Sequence, residues 1–109
     1  MAVEKVLVTP AEPVFQKIWR AFAVFVPDGG LSSETFPTSL ISGTDELWLT
    51  LHAPRHPVAQ EDARLLLADP PSHIGWWTDV IIPAWNPEPG IIVMKALAEY
   101  LDGSLHDRA

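Results

Sequence analysis

Eleven prolines are spread through 109 residues, and their spacing limits this chain more than any other feature. Each proline fixes φ and removes a backbone donor, so each tends to end or open an element. Together with six glycines they exclude a long-helix bundle and imply short elements cut by many turns. Pro10, Pro70-Pro71 and Pro83 act as stops, whereas Pro13, Pro57 and Pro87 suit the first turn of a helix.

The segments between the prolines carry two periodicities. Val3 to Thr9 reads as a strand, with Val6 and Val8 on one face and Leu7 on the other. From Pro13 the period turns helical: Phe15, Ile18, Trp19 and Phe22 share one side. Residues 22–26 either finish that helix or start a strand. Residues 27–45, rich in Ser, Thr, Gly and Pro, are expected to form a long loop, with Leu40 and Ile41 dipping into the core. Glu46 to His52 alternates cleanly, with Leu47, Leu49 and Leu51 against Trp48, Thr50 and His52.

A second helix is expected from Pro57 to about Ala68, burying Ala59, Ala63, Leu66 and Leu67. Ile74 to Ile82 reads as a further strand, apolar on both faces at Val80-Ile81-Ile82. Asn86-Pro87-Glu88 resembles a helix start, and that helix runs to Asp102 with Ile92, Val93, Ala96, Leu97, Tyr100 and Leu101 as its stripe. Gly103 suits a left-handed stop, and Ser104 to Asp107 a short edge strand or a tail. The sum is one domain over residues 1–109, α+β or α/β. It holds a single-layer sheet of three to five strands covered by about three helices.

Charge narrows the function classes. Fourteen acids face seven bases, a net charge of −7, and residues 58–109 hold eight acids against three bases. Phosphate backbones and anionic membranes need clustered Lys and Arg, so neither nucleic acid nor a membrane is an expected partner. The longest uncharged apolar runs, 21–26 and 91–94, are too short to span a bilayer. There is no cysteine, which excludes disulfides and thiolate zinc sites and fits a reducing compartment. The first residues lack a basic stretch followed by an apolar one, so a cytoplasmic chain is expected.

No catalytic motif emerges. His52 and His56 are weak metal candidates: Pro54 and Pro57 deny the helix that would aim both at one ion, and His73, Asp45 or Asp79 would have to supply a third ligand. No metal or other cofactor is therefore expected. Asp45-Glu46 lies at a strand start, where neighbours point apart, and Glu61-Asp62 opens a helix, where acids are expected. Ser32, Ser33, Ser39 and Ser42 lie outside any Gly-x-Ser-x-Gly elbow, and Asp28-Gly29-Gly30 reads as a turn.

Five tryptophans are more than a small core needs. Trp76 and Trp77 are adjacent in a strand and must point to opposite sides. The expected function is a non-enzymatic protein-binding module of the inhibitor, immunity or adaptor kind. It would offer Trp77, Asp79, Trp85 and Glu88 to a more basic protein, and a homodimer is also open. The alternatives are a small hydrolase using His52, His56 and a carboxylate, or a small-molecule or sugar binder lined by Trp48, Trp77 and Trp85.

Overall fold

The computed structural model describes residues 2–109. The elements run β1 (Ala2–Thr9), α1 (Phe15–Phe25), β2 (Gly30–Leu31), β3 (Thr38–Ile41), β4 (Leu47–Leu51), α2 (Gln60–Leu65), β5 (Trp76–Pro83), α3 (Glu88–Tyr100) and β6 (Ser104–Asp107). The strands form one antiparallel sheet in the order β2-β3-β4-β5-β1-β6. The fold is α+β, six strands with three helices.

Six strands exceed the three to five read from sequence. The expected loop 27–45 contains β2 and β3. Its Ser/Thr content concealed an alternation in which Thr38 and Leu40 turn inward, while the Ser39 and Thr50 hydroxyls pair at 2.7 Å on the other face. Ser104–Asp107 is an edge strand, β6, paired with β1 from Lys5↔Asp107 to Val8↔Ser104.

The sheet is clothed on both faces. Leu7, Leu40, Leu49, Leu51, Val80 and Ile82 bury against Ile18 and Phe22 of α1 and Met94 and Leu97 of α3. On the opposite face Val6, Val8 and Trp77 bury against Ala63 and Leu67, the inner side of α2 and its exit. β1 is therefore apolar on both sides, as a strand between two layers must be. α2 is short, so this second layer covers only part of its face. Ile81, paired with Thr50 and Glu4 towards the uncovered part, stays half-buried.

Residues 22–25 complete α1 and Val26 caps it, its N–H donating to the Phe22 carbonyl at 2.8 Å. The helix buries Ile18, Ala21 and Phe22, and leaves Trp19, expected in the core, 55% exposed. One residue step turns a helix by about 100°, which places Trp19 at the rim of the buried arc. α2 is shorter than the expected 57–68. α3 buries Gly90, Val93, Met94, Leu97 and Ala98, so Ile92 and Tyr100 of the expected stripe face outward. Its N-terminus has no side-chain cap: Pro87 occupies the cap position, and Asn86 bonds elsewhere. At its C-terminus the Gly103 N–H reaches the Ala98 carbonyl at 2.8 Å and the Asp102 N–H the Glu99 carbonyl at 3.2 Å. This is a Schellman end, but its left-handed residue is Asp102 (φ 55), not Gly103. Gly103 is needed for another reason: a side chain there would strike the Val8 carbonyl oxygen.

Among the described residues, no helix is long and apolar enough to cross a membrane.

Candidate functional site

Three connections meet at one end of the sheet. The first follows β5, whose last residue, Pro83, pairs with Ala2 before the chain turns through Trp85 into α3. Prolines on both sides restrict this turn, and Trp85 stands 76% exposed. The second is the β3–β4 hairpin. There the Ser42 hydroxyl accepts from the Thr44 and Glu46 N–H groups at 3.3 and 3.1 Å. Asp45 takes the left-handed conformation (φ 60), which the short polar side chain of an aspartate tolerates. Asn86 Nδ2 donates to Glu46 Oε2 at 3.4 Å, joining these two connections. The third is the α1–β2 turn, whose Asp28 carboxylate packs so close to Gly43 that a side chain at Gly43 would collide with it.

Asp28, Asp45, Glu46 and Glu88 therefore gather at the end that carries Trp85. The segments 27–29, 42–46 and 84–88 contain no lysine or arginine. Among the described residues the ion pairs are Lys5–Asp107 and Arg55–Asp79, neither of which engages these carboxylates. Among the described residues, this end of the sheet therefore carries an excess of negative charge together with an exposed aromatic ring. Water screens its self-repulsion, and an approaching cation would relieve it.

The structure divides the four residues predicted from sequence into two pairs. Trp85 and Glu88 belong to this acidic end. Trp77 and Asp79 lie elsewhere, on the sheet face beneath α2. Trp77 is 1% exposed, and its Nε1 donates to Asp79 Oδ1 at 3.0 Å. Asp79 Oδ2 accepts from Arg55 Nη2 at 3.0 Å, and the guanidinium carbons of Arg55 and Arg108 stand 5.6 and 5.7 Å from the Trp77 ring centroid. Trp77 is a core residue with no surface to offer a partner. Asp79 is already neutralised by a neighbour, and its worth as a steering charge is small.

The histidines are dispersed. His52 is exposed on the strand exit. His56 stacks on Trp76 (centroids 4.7 Å apart, planes 21°) and donates from Nδ1 to the Gly75 carbonyl at 3.2 Å. Among the described residues, no group of three or more His, Asp or Glu side chains comes together as a metal would require. Trp48 is half-buried beside the helical core and Trp77 is inside the other core, so Trp48, Trp77 and Trp85 do not wall one pocket.

One polar cluster escaped the sequence reading. His106 Nδ1 donates to the Asp69 carbonyl at 2.8 Å, which leaves Nε2 to accept the Ser104 hydroxyl at 2.6 Å. The signal was present, since residues two apart in a strand share a face, but it required β6 to be a strand. With both ring nitrogens occupied, the cluster ties the α2–β5 connection to the sheet edge. The chain matches no protein-family model, no curated protein and no solved structure.

Proposed function

We propose that this protein is a non-enzymatic binding module, of the inhibitor, immunity or adaptor kind, whose acidic end docks on a more basic protein. The observation that carries this reading is the segregation of charge. Among the described residues, four carboxylates with no ion-pair partner lie at the end of the sheet that carries the exposed Trp85, on segments that contain no lysine or arginine. Acids around an aromatic anchor accelerate encounter with a cationic surface, and the ring supplies the desolvated contact. The turn between prolines loses little conformational freedom on binding.

Affinity capture from the native host, quantified by mass spectrometry, tests this with three baits: the wild-type protein, Trp85→Ala and a Glu46→Lys/Glu88→Lys double variant. A basic protein held at low salt, released at high salt and lost by both variants is the expected result. Capture that neither variant weakens would discard the reading.

A further inference from the structure

Trp19 is a large aromatic side chain left in solvent on a helix that had apolar positions to spare. It marks a groove. A cavity of about 760 Å³ lies between α1 and the residues following β2, walled by Phe15, Trp19, Leu31 and Glu34 among others. It shares Phe15 and Glu34 with a cavity of about 370 Å³ that reaches Glu12 and Phe36. It shares Trp19 and Leu31 with one of about 240 Å³ that ends at Pro27 and Gly29, beside the acidic Asp28 turn. The three form one trough along α1, which at about 1.5 Å per residue is roughly 16 Å long.

We propose that this groove receives an extended, basic segment of the partner, about five residues long at roughly 3.3 Å each. The inference rests on the reading above that the partner is basic, and it deepens that reading. Three features select the occupant. Length and an open side suit a strand-like chain better than a compact ligand, which a pocket would enclose. Charge selects the sign: among the described residues, Glu12 and Glu34 are the only ionisable ones lining the three cavities, and no lysine or arginine lines them. The Trp19 face attracts a cation directly.

The backbone also permits pairing. β2 is the terminal strand of the sheet, so its outer edge has no strand partner. At Gly30 even an added side chain would meet nothing, so the sheet face beside the groove is open at that residue. A guest strand on that edge would place alternate side chains into the groove. A second copy of this protein is a poor occupant, because each copy carries a net charge of −7.

The test is a nuclear magnetic resonance titration of the ¹⁵N-labelled protein with an acetylated hexapeptide alternating arginine and valine. A glutamate–valine peptide is run beside it. The expected result is movement of the Gly30–Glu34 amides and the Trp19 indole with the arginine peptide alone. Affinity should fall by about tenfold or more in Trp19→Ala and in Glu34→Lys, with melting temperatures unchanged. Four outcomes overturn the proposal. If only the 44–46 and 85–88 amides move, the acidic end is right and the groove is wrong. An equal response to the glutamate peptide removes the charge selection. Line broadening that grows with protein concentration alone, centred on the groove, makes a second copy the occupant. If nothing moves at millimolar peptide, the groove is not a peptide site, and the acidic end is still judged by its own capture assay.

Discussion

Two tryptophans in the same strand-and-turn segment are expected to behave in opposite ways. Trp85→Ala removes a ring that is already in water, so the melting temperature should stay nearly unchanged while binding weakens by about 2 kcal/mol or more, measured by calorimetry. Trp77→Ala opens a hole between the sheet and α2 and strips Asp79 of a donor. Urea unfolding should show a loss of about 3–5 kcal/mol. Leu49→Ala, in the other core, should cost about 2–5 kcal/mol. A loss below about 0.5 kcal/mol would be that of a surface site. Alternation alone showed that Trp76 and Trp77 point apart. Which ring is buried depended on α2 lying over one face, and no residue near position 77 announces that.

At the scale of the element, the α3–β6 junction separates two roles that one glycine was expected to fill. Asp102 holds the left-handed conformation and Gly103 the close approach to β1. Asp102→Gly should stabilise by about 0.5–1 kcal/mol, since glycine reaches positive φ without steric cost. Gly103→Ala should destabilise by about 1–3 kcal/mol, because its Cβ must displace the β1 backbone. Thermal melts of the two variants check the opposite signs. The helix end was legible in sequence, and its register was not. Periodicity locates a turn of helix, whereas the cap residue is decided by where the next strand must dock. The same distinction holds for β3, whose Ser and Thr resemble a loop by composition until β4 supplies the partner for Ser39.

At the scale of the molecule, the charge is distributed unevenly. Arg55 and Arg108 cluster around Trp77, while Asp28, Asp45, Glu46 and Glu88 hold the far end of the sheet. Association with the captured partner should therefore slow by about tenfold or more between low and high salt, with dissociation nearly constant. Stopped-flow kinetics across a salt series checks this, and an association rate indifferent to salt would contradict electrostatic steering. Nothing in the order of the acids along the chain revealed the cluster. Asp28 and Glu88 are far apart in sequence and fall at the same end of the sheet because β2, β3, β4 and β5 are consecutive neighbours in it.

The sequence by itself determined that one fold mixes strands and helices, where the helices and the main strands lie, and the inward faces of β4 and β5. These follow from local periods that backbone sterics impose: two for strands and 3.6 for helices. Tertiary structure alone decided the strand order, with the first strand between the fifth and the last. It also decided that Trp77 is core while Trp19 and Trp85 are surface, and that four separate acids share one end. Those outcomes depend on which apolar face meets which. That choice is made by contacts between residues distant in the chain, and no local window of sequence contains them.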